Sequence, residues 1–254
     1  MNTNNWESPV KKRLRAGEPV IAATVSVNSV DVAAHLANLG FDFLWVEMEH
    51  SPVSLETLRN MVLATRGLPA LTFARVPVNE TWTAKRVLDM GVSGVIFPFT
   101  STPELAQQAA AACRYPPHGR RGSGANLARF AWPDRDRYSD SADENVTVIA
   151  IIEEARAVER IDEIAATPGV DVMFIGTSDL SFSLGLRGDQ NDPRLHEAIE
   201  KVVAAGKRHG KFLGRPAPSP EKVKEYVRQG FQLFQAPTDL GLMTSGAKAY
   251  LGHV

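Results

Sequence analysis

The chain of 254 residues has one cysteine, Cys113, no long apolar run and no excess of charge of either sign. A single cysteine excludes an intrachain disulfide and is typical of proteins from reducing compartments. No stretch approaches the roughly 18 apolar residues of a membrane span, and residues 1–7 lack the apolar core of a signal peptide, so we expect a cytoplasmic protein. Lys plus Arg number 28 against 29 Asp plus Glu, which gives no overall attraction to nucleic acid or membranes.

The length and composition predict one α/β domain spanning residues 1–254. Hydrophobic residues make up 44% of the chain, enough for a large core, and one α/β barrel is often of this length. Eight β-rich runs alternate with helical patterns, which favours a (β/α)8 TIM barrel over an open doubly wound sheet. The strands are expected near residues 20–26, 43–47, 71–75, 94–98, 147–152, 171–175, 211–214 and 231–236. Helix starts are predicted at Ser54, Thr102 and Ser219, which are residues with N-cap side chains.

Two segments call for separate interpretation. Residues 115–146 form a connection rich in Pro, Gly, Arg and Asp that is unusually long for a compact domain, so we expect it to contain a short helix or to reach a neighbouring subunit. Within it, residues 119–124 lack the P-loop pattern and are interpreted as a flexible loop, with Arg121 as a candidate subunit contact. The basic cluster at 11–15 is interpreted as a solvated helix face. Cys113 lies in a helical stretch and is expected to be buried and unreactive.

Two carboxylates, Glu153 and Asp179, follow apolar runs and lie 26 residues apart. That separation is about one strand-plus-helix unit of an eightfold barrel, so both side chains are expected at the same rim. Hard oxygen ligands in such a position suit Mg²⁺ or Mn²⁺ better than zinc. Upstream, His50 and Arg75 follow two further apolar runs with a similar spacing. The residues at these four strand ends therefore predict a site at one end of the barrel, with an acid-base group, a cationic side chain and two metal ligands.

Five segments carry a resemblance to a known family. In order and spacing, they resemble the motifs of the HpcH/HpaI aldolases, metal-dependent pyruvate aldolases that include 4-hydroxy-2-oxoheptanedioate aldolase. The segments are 46–52 (VEMEHSP), 74–77 (ARVP), 114–117 (RYPP), 152–153 (IE) and 176–181 (GTSDLS). The resemblance extends over about residues 19–242. It implies a (β/α)8 barrel, a divalent cation (Mg²⁺, Mn²⁺ or Co²⁺) and reversible cleavage of a 4-hydroxy-2-oxo acid, through a metal-stabilised enolate, to pyruvate or a close 2-oxo acid plus an aldehyde. It also implies a homohexamer built as a trimer of dimers that exchange a C-terminal helix.

The resemblance also implies roles for individual residues. Glu153 and Asp179 would hold the metal, His50 would act as base, and Arg75 would contact the keto oxygen of the substrate. Asp89 would support the histidine from an adjacent subunit. Two smaller groups complete the implied site: Glu47 beside the histidine, and the backbone of Gly176, Thr177 and Ser178 around the carboxylate of pyruvate. These residue types fit the chemistry, because histidine titrates near neutral pH and a fixed guanidinium stabilises negative charge on an oxygen.

Two departures from the family pattern concern the substrate. The family often has glutamine two residues before the metal-binding glutamate, where this chain has Ile151, which cannot hydrogen-bond a substrate or a metal-bound water. The common proline-alanine before the aspartate is Thr177-Ser178 here. The wall opposite pyruvate is expected from residues 214–217 and 236–240, with Trp132 or Phe130 of a neighbour. Arg215 is interpreted either as the receptor of an acidic aldehyde, such as succinic semialdehyde, or as a surface charge.

Several alternatives stay open at the level of the sequence. Asp179 is a candidate N-cap, Glu153 a candidate helix-terminal acid, and Arg75 a candidate structural partner of Glu47 or Glu49. A Schiff-base aldolase would need an inward lysine on a strand, but the lysines lie mainly in helical patterns. Two further alternatives are a lyase acting on a CoA thioester, like citrate or malyl-CoA lyase, and a non-catalytic metal-binding barrel that serves as an oligomeric scaffold.

Overall fold

The computed structural model describes residues 6–133 and 135–252. Eight parallel strands, β1 to β8, form a closed barrel in chain order, so each strand pairs with its sequence neighbours and β1 pairs with β8. The strands are β1 Val20–Val25, β2 Phe43–Glu47, β3 Leu71–Arg75, β4 Gly94–Phe97, β5 Thr147–Ile152, β6 Val172–Ile175, β7 Phe212–Pro216 and β8 Leu233–Thr238. The predicted TIM barrel is confirmed, and each predicted strand starts and ends within two residues of the observed one.

Alternation along the strands divides the core into two layers. On β2, Phe43 and Trp45 belong to a cluster inside the barrel, whereas Leu44 and Val46 belong to the cluster between strands and helices. This is the period of two expected for a β-strand, and both faces are apolar because the barrel is covered on the outside by helices. The inner face of each strand therefore points at the barrel axis, and at the carboxyl end of the strand it points at the mouth.

Thirteen helices are formed by the described residues, and several begin where the sequence predicts. Ser54, Thr102 and Ser219 each cap a helix with a side chain that accepts a backbone N–H bond. The helices are α1 Pro9–Arg15, α2 Val30–Ala37, α3 Leu55–Ala64, α4 Thr81–Met90, α5 Pro103–Ala112, α6 Asn126–Ala131, α7 Tyr138–Asn145, α8 Ala155–Glu159, α9 Ile161–Ala165, α10 Thr177–Ser183, α11 Pro193–Arg208, α12 Pro220–Gln229 and α13 Asp239–Leu251. None of them has the length and apolar character that crossing a membrane requires.

The described residues of the connection at 115–146 form two helices, α6 and α7. Arg121 is 2% exposed, and its guanidinium lies 4.7 Å from the ring of Tyr115 and 5.2 Å from that of Tyr138. Residues 119–124 form a loop as predicted, but cation–π contacts hold Arg121 inside its own subunit, so Arg121 is not the exposed group that a subunit contact would need. Trp132 is likewise buried in its own subunit, against Trp6 and Tyr138.

The N-terminal basic cluster is not wholly solvated. Lys11 is 7% exposed, and its Nζ lies 3.0 Å from Oδ1 of Asp171 and donates to the carbonyl of Glu144. A paired carboxylate and a carbonyl compensate the burial of this ammonium group, which the local pattern alone did not predict. Cys113 is a free and buried thiol as expected, and burial raises its pKa to about 12.

Candidate active site

A cavity of about 420 Å³ lies at the carboxyl ends of the barrel strands. It brings together six of the predicted site residues: Arg75, Glu153, Gly176, Thr177, Ser178 and Asp179. The other lining residues are Trp45, Ile151, Phe174, Gly188, Gln190, Pro216 and Gln235. Active sites of (β/α)8 enzymes form at this face, because the loops after different strands converge there.

Glu153 follows the last residue of β5, and its side chain enters the cavity beside that of Ile151. It is 2% exposed, and its Oε1 accepts a bond of 2.6 Å from the backbone N–H of Phe99. Phe99 has a φ of 46°, an uncommon conformation for a residue other than glycine, and this turn aims its N–H at the carboxylate. Glu154, and not Glu153, occupies the N-cap position of α8, so the role of Glu153 as a helix-terminal acid is not what the structure shows.

Asp179 lies in the first turn of α10, directly after β6. The N-cap position of α10 belongs to Gly176, so the alternative of Asp179 as an N-cap is wrong. Gly176 packs closely against the neighbouring strand, since a Cβ at this position would lie 2.7 Å from Oε2 of Glu153. The first-turn amides of a helix have no intrahelical acceptor, so those at residues 177–179 can bind an anion beside the two carboxylates.

Glu47 holds Arg75 and the turn after β2 in place. Its Oε2 accepts from both Nε and Nη2 of Arg75 at 2.6 Å. Its Oε1 accepts from the backbone N–H groups of Glu49 at 2.7 Å and His50 at 3.0 Å. Glu47 is 4% exposed and thus uses both oxygens inside the protein. It fixes the position of Arg75, and it contacts the backbone of His50 without an observed contact to the ring.

Glu49 belongs to the site, although the sequence suggested for it only a structural pairing with Arg75. Its Oε2 lies 3.1 Å from Nη1 of Arg75 and 3.7 Å from Nε2 of His50. His50 itself lies at the rim, with 64% of its side chain exposed, and is not among the cavity-lining residues. The position of Glu49 two residues after Glu47 at a strand end, on the same face, was the available signal.

The carboxylates of the site destabilise one another in their charged forms. Burial raises the pKa of Glu153 to about 7, and the nearby charges of Glu49 and Asp179 act in the same direction. Burial likewise raises the pKa of Glu49 to about 7, against the opposing effect of Arg75. A divalent cation between Glu153 and Asp179 would compensate this charge.

The donor set also fits such a cation. No group of three or more His, Cys, Asp and Glu side chains able to hold a metal is present in residues 6–133 and 135–252. The protein would thus supply two carboxylates, Glu153 and Asp179, and leave the remaining positions to water and substrate. Mg²⁺ is commonly bound in this way.

Asp89 lies on α4 and outside the lining of the cavity in its own subunit. It faces the loop at Gly124, and its Oδ1 is buried without a hydrogen-bond partner among the described residues. Burial raises its pKa, whereas the charges of Arg121 and Lys85 lower it. Its expected contribution to a neighbouring active site stays a prediction.

Arg215 points away from the cavity. On β7 its neighbours Gly214 and Pro216 occupy the inward positions, and the guanidinium of Arg215 stacks 3.7 Å from the ring centre of Tyr226 on α12. Arg215 is thus not the receptor of an acidic aldehyde in this cavity. It is also not a simple surface charge, because it is partly buried between β7 and α12.

Comparisons with known proteins agree with this geometry. A model of the HpcH/HpaI aldolase/citrate lyase family matches residues 24–245. The chain is 32% identical over 240 residues to hydroxypyruvate/pyruvate aldolase of Roseobacter denitrificans, covering 94% of both chains. It is 33% identical over 248 residues to 5-keto-4-deoxy-D-glucarate aldolase of Salmonella arizonae, covering 98% of this chain and 97% of the relative. A crystal structure of a HpcH/HpaI aldolase/citrate lyase family protein from Burkholderia cenocepacia superposes with a TM-score of 0.89 at 33% identity, covering 97% and 98% of the two chains.

Proposed function

The chain belongs to the HpcH/HpaI aldolase/citrate lyase family and is an aldolase, and we propose that it reversibly cleaves a 4-hydroxy-2-oxo acid to pyruvate, or to hydroxypyruvate, and an aldehyde. The observation that carries the proposal is the convergence of Arg75, Glu153 and Asp179 in one cavity, next to the free first-turn amides of α10. The two named relatives act on different substrates, so they do not define the aldehyde fragment of this enzyme.

The 2-oxo acid is positioned by backbone amides and by Arg75. Its carboxylate accepts hydrogen bonds from the amides of Thr177 and Ser178, which need no particular side chain, whereas the N–H of Gly176 already donates to the carbonyl of Ile152 at 3.1 Å. The guanidinium of Arg75 approaches the C2 oxygen, where negative charge develops as the C3–C4 bond breaks. Because Glu47 fixes Arg75 before substrate arrives, this donor needs little reorganisation, and its removal should reduce the rate by about 10²–10³.

Glu153 and Asp179 are the residues that would hold a divalent cation, with Mg²⁺, Mn²⁺ or Co²⁺ as candidates. Such an ion, when bound, supplies positive charge that draws electrons toward the C2 oxygen. The Phe99 N–H bond to Oε1 of Glu153 leaves the other carboxylate oxygen toward the cavity.

His50 removes the proton of the C4 hydroxyl in the cleavage direction. Its ring is exposed at the rim, and Oε2 of Glu49 lies 3.7 Å from Nε2. We assign Asp89 of a neighbouring subunit to the support of this ring. If His50 is the base, His50→Gln should lower kcat/KM by about 10²–10⁴-fold, and an unchanged kcat/KM would contradict the assignment.

The proposed assembly is a hexamer, a trimer of dimers, in which α13 packs on a second copy of the chain. Asp239 is the only buried residue of α13, Leu242 is half-buried against the core, and four of the other apolar side chains are exposed. Those side chains are Leu240, Met243, Tyr250 and Leu251. Such a set of apolar groups is typical of an interaction surface. Light scattering of the purified chain should give the mass of six copies, and a monomeric mass would contradict the assembly.

Exchange of the methyl protons of pyruvate with D₂O tests the proposed function without any choice of aldehyde. The protein with Mg²⁺ or Mn²⁺ should catalyse the exchange, and EDTA or Glu153→Gln should abolish it. Glu159→Gln, at the end of the same β5–α8 segment, is the matched control and should exchange normally. A barrel that binds a cation but catalyses no exchange would be a scaffold, and exchange that requires a CoA thioester would favour the CoA lyase.

A further inference from the structure

One side of the cavity, formed by β2, β7 and β8, is polar but uncharged. Its lining residues are Trp45, Pro216 and Gln235. Gln235 pairs with Pro216 on β7 and with Ala22 on β1, and its position on β8 alternates with the outward Phe234. Its side chain therefore points into the barrel mouth.

Two polar groups on this side have no partner in the described residues. The indole N–H of Trp45 is buried without a hydrogen bond, and the residue is 1% exposed. The amide of Gln235 forms no side-chain hydrogen bond, although its backbone carbonyl accepts from Ala217. An unpaired buried N–H is unfavourable by about 1–3 kcal/mol, so a group that accepts from it is expected in the functional state.

One charged group approaches this side, because the guanidinium of Arg75 lies 5.9 Å from the ring centre of Trp45. Arg75 is the only cation that lines it among residues 6–133 and 135–252, and Glu47 and Glu49 already pair with Arg75. Arg215, one residue from the inward Pro216, stacks on Tyr226 outside the barrel. A second carboxylate of a substrate would thus find here only neutral groups and a guanidinium already paired with two carboxylates, and would lose hydration without an unpaired cation to replace it.

A hydroxyl group of the substrate could form hydrogen bonds with both neutral groups. It can accept from the Trp45 N–H while it donates to, or accepts from, the Gln235 amide. Ile151 on β5 offers no polar group at a position where the family often has glutamine. In this chain Gln235 supplies an amide from β8 instead.

We propose that Gln235 and Trp45 determine the specificity of the aldehyde site, and that they select a neutral, hydroxylated aldehyde over one that carries a carboxylate. The inference rests on the proposed aldolase function and adds the chemical class of the second fragment. The full substrate would then be a 2-oxo acid with one carboxylate and a hydroxylated chain.

Condensation of pyruvate with glyceraldehyde or with succinic semialdehyde tests the proposal. The full chain with Mg²⁺ should have a kcat/KM at least tenfold higher for glyceraldehyde. Gln235→Leu and Trp45→Phe each remove a hydrogen-bonding group and should lower that value by about three- to tenfold, with a smaller effect on succinic semialdehyde. Gln235→Arg adds a cation and should shift the ratio toward the acidic aldehyde by about tenfold or more. Gln229→Leu, at an exposed position of α12, is the matched control and should leave the ratio unchanged.

The outcomes separate this inference from the proposed function. Pyruvate methyl exchange together with a wild-type preference for succinic semialdehyde would overturn the inference alone. Equal losses for both aldehydes in Gln235→Leu and Trp45→Phe would do the same, because they would indicate a structural role. Absence of both exchange and condensation would overturn the proposed function and this inference with it.

Discussion

If Glu153 and Asp179 hold a divalent cation as proposed, its removal should destabilise the protein above pH 7 and have little effect in mild acid. The folded-state pKa of Glu153 is about 7, above its ordinary value of 4.5, chiefly because the group is buried. The folded metal-free protein therefore holds this proton more tightly than the unfolded chain does. Its contribution to stability is complete below pH 4.5 and is lost as the pH rises through 7.

The magnitude is a few kcal/mol. A pKa that rises from 4.5 to about 7 corresponds to about 3 kcal/mol for Glu153, which is 2% exposed. Binding of a cation present at a hundredfold excess over its Kd should raise the free energy of unfolding by about 2.7 kcal/mol. For a domain of this size, that corresponds to a rise of roughly 5–10 °C in Tm. Because the cation displaces the proton, its affinity should fall about tenfold for each pH unit below 7.

Thermal unfolding of the EDTA-stripped protein, with and without Mn²⁺, measures this effect. The rise in Tm should be several degrees at pH 8 and near zero at pH 5, and Glu153→Gln should remove it at both values. Calorimetric titration with Mn²⁺ should also record proton release at pH 6 and much less at pH 8, where Glu153 is already ionised. An equal rise in Tm at pH 5 and pH 8, or one that persists in Glu153→Gln, would refute the assignment of the metal site.

Three further changes probe the support of the site. Glu47→Gln removes the charge opposite Arg75 and should lower the free energy of unfolding, measured by urea titration, by about 2 kcal/mol. It should also lower kcat/KM, because Glu47 and Arg75 form a clamp that holds the guanidinium in place. An unchanged kcat/KM would argue against this clamp. Gly176→Ala places a Cβ 2.7 Å from a Glu153 oxygen and should weaken Mn²⁺ binding about tenfold with unchanged circular dichroism, whereas normal binding would show that the strand can shift. Cys113, whose pKa is raised to about 12 by burial, should react with a thiol reagent only after unfolding in guanidinium, and rapid labelling of the native protein would contradict its burial.

The barrel was predictable from local patterns because each strand is a short apolar run between helix starts and turns. The same patterns located Glu153 and Asp179, since a carboxylate after a buried strand can only lie at the rim. Burial of Lys11 and Arg121 was not predictable locally. Lys11 is compensated by Asp171, and Arg121 by the rings of Tyr115 and Tyr138, and none of these contacts is specified by neighbouring sequence.

The contacts of individual side chains at the cavity were also not predictable from the sequence. Glu47 and Glu49 have similar sequence surroundings, yet Glu47 uses both oxygens as a clamp, while Oε2 of Glu49 stays without a hydrogen bond near Arg75 and His50. Arg215 was predictable in principle, because strand alternation places it opposite to Pro216.

The pairing of Glu47 with Arg75 also affects the carboxylates that are proposed to bind the cation. Arg75 donates two hydrogen bonds to Glu47, so its charge is held in position and does not move toward Glu153 or Asp179 to neutralise them. Burial, and to a smaller degree the repulsion between the carboxylates, raises the pKa of Glu153 and Glu49, and a divalent cation would compensate this negative charge. If Glu47→Gln frees Arg75 to pair with the site carboxylates, Mn²⁺ affinity should fall although Glu47 is not a ligand, and the pH dependence of binding should become shallower. Unchanged affinity in that variant would mean that the cation site is independent of the clamp.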